Sequence, residues 1–147
     1  MASNDKVVAA LSRLLADSYT MYLKTHNYHW NVTGPMFNTL HTLFETQYTE
    51  LALAVDVIAE RIRAVGARAP GSYTEFSELA AIKEDTSSPE AKQMIANLVA
   101  DQRTLVEGAR QLVEAAEASG DQASGDLGVR RIELHEKTAW MLQAHLE

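Results

Sequence analysis

Two pairs of side chains in the first half of the chain combine metal-ligand chemistry with helical spacing. His41 and Glu45 stand four residues apart, and so do Asp56 and Glu60. In an α-helix, residues i and i+4 lie one above the other on the same face, close enough to share one ion. At about 100° per residue, all four positions fall within an arc of roughly 100° if one helix carries them. His29, upstream of both pairs, is a fifth donor of the same kind. Imidazole mixed with carboxylate suits Fe(II), Zn or Mn, whereas Ca and Mg favour oxygen-only shells. The chain has no cysteine, so thiolate ligands and disulfides are excluded.

The two pairs cannot serve one ion within one chain. His41 and Asp56 are fifteen residues apart, about 22 Å along a helix axis at ~1.5 Å per residue. A two-fold axis removes the difficulty. If two copies of this helix pack antiparallel about a point near Glu50 and Leu51, His41 and Glu45 of one copy face Asp56 and Glu60 of the other, twice over. His29 could then close each site from the preceding helix. A plainer reading fits the same spacing: Arg61 and Arg63 stand close enough to make Asp56 and Glu60 part of a solvated, salt-bridged face. A conventional di-iron bundle fits poorly. It draws on Glu-x-x-His motifs from two helices, and no Glu in this chain has a His three residues later.

The elements that must hold these residues are delimited by scarce, clustered Gly and Pro. From Asn4 to about Asn31, Val7, Val8, Leu11, Leu14, Leu15, Tyr19, Tyr22 and Leu23 recur at the spacing of one helical face. Gly34-Pro35 stops that helix. A second runs from about Met36 to Val65, carrying Phe37, Leu40, Leu43, Phe44, Tyr48, Leu51, Val55, Ile58 and Ile62. Ser72-Tyr73-Thr74-Glu75 has capping-box form and predicts a two-turn helix through about Ile82. Ser88-Pro89-Glu90 reads as a Ser cap with Pro at the first helical position. It opens a third long helix, with Ile95, Leu98, Leu105 and Leu112, that stops at Gly120. The last runs from about Gln122 to His145 with Leu127, Leu134, Met141 and Leu142 inward, its first turns weakened by Gly125 and Gly128. The pattern is all-α: four long helices with a short extra helix between the second and third, one domain over residues 1–147.

Composition narrows the class further. Of 147 residues, 46% are hydrophobic and 22% charged, which suits a soluble globular domain. No apolar run reaches the ~18 residues of a membrane span. The N-terminus lacks the pattern of a secretory signal, so cytoplasmic residence is the expectation. The net charge of −7 disfavours a generic nucleic-acid binder.

The run Lys24-Thr25-His26-Asn27-Tyr28-His29-Trp30-Asn31-Val32-Thr33-Gly34-Pro35-Met36-Phe37, then Leu40-His41-x-x-Phe44-Glu45 and Asp56-x-Ile58-Ala59-Glu60-Arg61-Ile62, resembles the Dps-like (starvation-induced, DNA-protecting) mini-ferritin family. The resemblance implies a ferritin-like four-helix bundle. Its metal ligands and catalytic residues would be His29, His41, Glu45, Asp56 and Glu60, at sites between two-fold-related subunits that take up to two irons each, with Zn or Mn possible in vitro. It implies a ferroxidase that oxidises Fe(II), with hydrogen peroxide preferred, and stores ferric mineral in a hollow dodecamer as protection against oxidative stress. Trp30 would lie beside the site as a radical quencher or as an interface plug. Asp121 and Asp126 would be either iron-entry residues near a three-fold pore or ordinary capping acids. Two departures stand out. Glu45 occupies a position where many relatives carry Asp, and Lys6 is the only basic residue before Arg13. The alternative, a nucleoid-binding protein with secondary iron chemistry, therefore has little support. Of the remaining histidines, His26 is read as a polar interface or second-layer residue, and His135 and His145 as helix-surface residues.

Overall fold

The computed structural model describes residues 2–147, with side chains from Asn4 onward. Every regular element among the described residues is helical: α1 (Ala2–Asn31), α2 (Phe37–Ala64), α3 (Tyr73–Leu79), α4 (Ala91–Ser119) and α5 (Gln122–Ala144). α1 packs along α2 and α4 along α5; α1 and α4 join the two hairpins, and α3 lies against α1. The apolar stripes read from the sequence largely face a common interior, although Leu23 and Phe37, counted on them, are 42% and 40% exposed. Leu11, Leu14, Met21 and Tyr28 meet Phe44, Leu51, Ile58, Ile62, Leu98, Leu105, Leu112 and Leu142 there, all 2% exposed or less. No helix of the described residues is long and apolar enough to cross a membrane.

The helix ends show where local signals were overridden. Ser72 caps α3 as expected, accepting from Glu75 N–H at 3.2 Å. The Glu75 carboxylate reaches back to Gly71 N–H (3.2 Å) and the Ser72 hydroxyl (2.8 Å). α3 stops at Leu79 rather than continuing to Ile82, because Ala80 is extended. The chain beyond it is tied to the bundle by side chains. Asp17 accepts the N–H groups of Ala81 and Ile82 at 2.8 and 2.9 Å. Lys24 donates to Lys83 O and pairs with Asp101, each at 2.8 Å. Tyr28 donates to Asp85 and accepts from Asn97. The backbone is still extended at Glu90 (φ −69°, ψ 162°), so α4 begins at Ala91 and the Ser88-Pro89 start signal goes unused.

In α5 the correction runs the other way. Gly128 is there because α4 comes close, whereas Gly125 meets α4 only at ordinary contact distance. A Cβ on Gly128 would lie 2.8 Å from Val113 Cγ2 and 3.1 Å from the Ala109 carbonyl oxygen. The tight crossing turns the face of α5, so that Met141, expected inward, is 39% exposed, and His135, expected on the surface, has no exposed area.

Gly128→Ala should therefore lower stability by about 1–2 kcal/mol. Overpacking costs ~1–3 kcal/mol, and the better helix propensity of Ala returns at most ~1. Gly125→Ala, whose Cβ would meet Ala116 at an ordinary 3.5 Å, should be neutral or mildly stabilising. Urea unfolding of both variants checks the contrast.

Candidate metal centre

His29 occupies the last turn of α1 and His41 the second turn of α2. Their rings stack, with centroids 3.8 Å apart and planes 12° from parallel. Each Nδ1 lies 2.7 Å from the backbone carbonyl oxygen of the other residue. A carbonyl oxygen only accepts, so both Nδ1 atoms carry the proton and both Nε2 atoms keep a free lone pair. The His29 carbonyl is one of the last in α1, where no downstream helical N–H is available, so His41 also caps that helix. One exchange of hydrogen bonds thus joins α1 to α2, fixes both ring planes and leaves the Nε2 of each ring unengaged. Orientation of a ligand imidazole through its second nitrogen is the usual support for metal binding.

The carboxylates are placed differently. Glu45, Asp56 and Glu60 are exposed along the outer face of α2. Among the described residues, no ion pair or hydrogen bond engages any of the three. Arg61, which the plainer reading paired with them, instead binds Asp121 at 2.9 Å and Ser124 at 2.9 Å. Arg63 donates to the Ala67 carbonyl. The salt-bridged-face reading is therefore not what the structure adopts. Within one chain, no group of three or more His, Asp or Glu side chains among the described residues is arranged to hold an ion. His29 and His41 come together; Asp56 and Glu60 stand four turns further along.

The same face of α2 carries apolar side chains turned to solvent, with Leu53 67% and Val57 52% exposed. Leu53 sits between the His41/Glu45 and Asp56/Glu60 pairs, and Val57 within the second pair. At the level of Glu50 and Leu51, the outward residues are Thr49, Ala52 and Leu53, because Leu51 is buried and Glu50 turns toward α5 to meet Arg131.

Around the histidines lies an aromatic cluster that helical spacing alone had not assembled. His26 is sandwiched between Trp30, at 3.9 Å, and Tyr48, at 4.1 Å, and Tyr48 meets His29 edge-on at 5.1 Å. Burial, then the nearby His29, holds the His26 pKa below its usual value. Burial, then the charge of Glu45, pushes the Tyr48 phenol up. Tyr48, which periodicity puts on the apolar stripe four residues after Phe44, instead packs against His26 and His29 and forms a wall of the candidate site.

Known proteins share this arrangement of elements. Residues 8–147 match the family model of the ferritin-like domain. The DNA protection during starvation protein 2 of Bacillus anthracis is 36% identical over 143 residues, which is 97% of this chain and 98% of that protein. The chain is a Dps-like member of the ferritin-like family. The crystal structure of a Dps protein from Bacillus brevis has a TM-score of 0.97 at 35% identity, over 100% of this chain and 99% of that one. The Dps protein of Vibrio cholerae, itself called a member of a broad superfamily of ferritin-like diiron-carboxylate proteins, gives 0.95 at 36%, over 99% and 92%.

In this Dps-like chain the two acids at the start of α5 have separate fates. Asp121 caps the helix, accepting from the Ser124 N–H at 3.1 Å and the Ser124 hydroxyl at 2.6 Å, and it also holds Arg61. Burial alone would raise its pKa, but Ser124 and Arg61 outweigh burial and hold it below the usual carboxylate range. Asp126 is exposed.

Asp121→Ala should cost ~1–2 kcal/mol at neutral pH, the typical loss for a helix cap. A carboxylate whose folded pKa is depressed stabilises above its unfolded pKa and loses that contribution as pH falls through the folded value. The gap between variant and parent should therefore narrow below about pH 4. Denaturant titrations at pH 7 and pH 3 read this directly.

Proposed function

We propose that the protein is a ferroxidase and iron store whose oxidation sites form between two subunits. The observation that carries this reading is the His29–His41 pair. Two imidazoles are locked by each other's backbone with both Nε2 lone pairs free, and one of them stands on the helix whose exposed face also presents Glu45, Asp56 and Glu60. A second α2, antiparallel across a two-fold axis, would bring the partner's Asp56 and Glu60 to these nitrogens and cover Leu53 and Val57. The donor set suits Fe(II), and with five ligands it has room for two ions. Iron is here the substrate. Each of two Fe(II) ions gives up one electron, and the pair of electrons, with two protons, reduces one hydrogen peroxide to two waters. The ligands hold the ions, and the carboxylates offset the charge that grows as Fe(III) forms. Twelve subunits enclosing a mineral store, in the cytoplasm, with residues 1–147 acting as one ferritin-type unit, complete the reading. Of the two acids considered for iron entry, Asp126 remains available; Asp121 is committed to its cap and to Arg61. Nucleoid binding is not favoured, because the charge of −7 opposes phosphate contacts.

The test uses the two-fold geometry. The His41→Ala/Asp56→Ala double variant should assemble but lose rapid peroxide-dependent Fe(II) oxidation. The single variants should each be impaired at every site. Dissociating the two single variants and reassembling them 1:1 should restore about a quarter of the sites, since only a dimer of one of each regains one intact site of its two. No recovery on mixing would overturn the inter-subunit assignment, and an undiminished double variant would overturn the site.

A further inference from the structure

The interior of the bundle holds a second set of ligand-type side chains that the interface reading does not use. Arg131 of α5 is 8% exposed. Glu50 of α2 grips its guanidinium with both oxygens, Nη1 to Oε2 at 2.5 Å and Nη2 to Oε1 at 3.0 Å. On its other side, Nη2 is 3.1 Å from Nε2 of His135. A guanidinium nitrogen only donates, so His135 must present a lone pair to it. The opposite ring nitrogen fixes the same tautomer, with Nδ1–H donating to Gln102 Oε1 at 2.6 Å. Burial, then the Arg131 charge, holds the His135 pKa down to about 3, so the ring is neutral.

These groups behave like the shell of a transition-metal ion. A neutral imidazole aims its lone pair inward and is oriented through its other nitrogen by a side-chain oxygen, while a carboxylate arrives from a facing helix. Both donors meet at one positive group, which here is a guanidinium. Glu50, Gln102 and His135 line a cleft of about 310 Å³ where α2, α4 and α5 meet, together with Gln47. Gln47 is 8% exposed, and its buried Oε1 has no hydrogen-bond partner. Glu50 keeps 34% side-chain exposure and so the freedom to close on a smaller ion.

We infer that Arg131 is the resident cation of an intrasubunit metal-type site, and that its guanidinium keeps divalent metal out of the bundle. Without that guanidinium, Glu50, His135 and the Gln47 oxygen form a site for a first-row divalent ion. Arg131 then acts as a specificity determinant, leaving the subunit interface as the place where metal collects.

Zn(II) is the probe, because it is not oxidised and its binding does not depend on iron turnover at the interface. Isothermal titration compares the assembled parent protein with three variants. Arg131→Ala should bind about one more Zn(II) per chain than the parent. Arg131→Ala/His135→Ala should return to the parent's count, and Arg131→Lys, which keeps a cation, should gain none. Thermal unfolding guards against a folding defect, since stranding a buried charge partner is destabilising. Arg131→Ala should melt below the parent and recover when Zn(II) is added, and the Arg131→Ala/His135→Ala variant should not recover. An Arg131→Ala protein with no extra Zn(II) and no Zn(II)-dependent recovery overturns the inference. So does an extra ion that survives removal of His135.

Discussion

The exchange of hydrogen bonds between His29 and His41 is the interaction on which the rest of the site depends. It closes the end of α1, where carbonyl groups would otherwise lack partners, against the start of α2. The same two bonds decide which nitrogen of each ring is protonated, and hence which one can meet an ion. Each is worth only ~0.5–1.5 kcal/mol to stability, but their effect on geometry is larger. Two side chains that could each adopt several rotamers are reduced to one stacked arrangement. The aromatic sandwich of Trp30, His26 and Tyr48 packs beside it and restricts it further.

α2 carries two different chemistries on two faces. Its outer face presents His41, Glu45, Asp56 and Glu60. Toward α5 it sends Gln47 and Glu50, and Glu50 meets Arg131. Both faces gather ligand-type groups, but only the outer one leaves its donors without a cationic partner among the described residues. The seam between α2 and α5 is looser than the α1–α2 and α4–α5 contacts, so a charged pair can bridge it where apolar side chains would leave a gap. The cost of burying Arg131 is offset by three acceptor contacts from two side chains.

The helices themselves were legible, because apolar periodicity reports directly on which face is buried. The shared helix face of His41, Glu45, Asp56 and Glu60 was legible for the same reason: i and i+4 fix a common face whatever the tertiary context. Arg61 was not, since its choice of Asp121 over Glu60 depends on where α5 begins. The position of His135 was lost because Gly128 lets α5 approach α4 so closely that its inward face differs from the one Met141 suggested. The late start of α4 was equally hidden, because Asp17, Lys24 and Tyr28 hold the preceding segment from long range. The stacking of His29 on His41 required knowing how the Gly34-Pro35 turn folds α2 back on α1.

Because every carboxylate and one imidazole of the proposed interface site lie on the single unbroken helix α2, length and rotation along it carry unequal weight. In an antiparallel pair a two-fold axis matches each ligand pair with the other at any separation, so the distance between the pairs can change without mismatch. Angle has no such freedom. Inserting or deleting one residue between Glu45 and Asp56 swings the second pair by about 100°, off the shared face, in both sites of the dimer at once. Inserting seven residues leaves it within about 20° of its original direction. The stretch between the pairs is thus bound in residue number as well as in its inward side chains, and only near-whole turns can be gained or lost there.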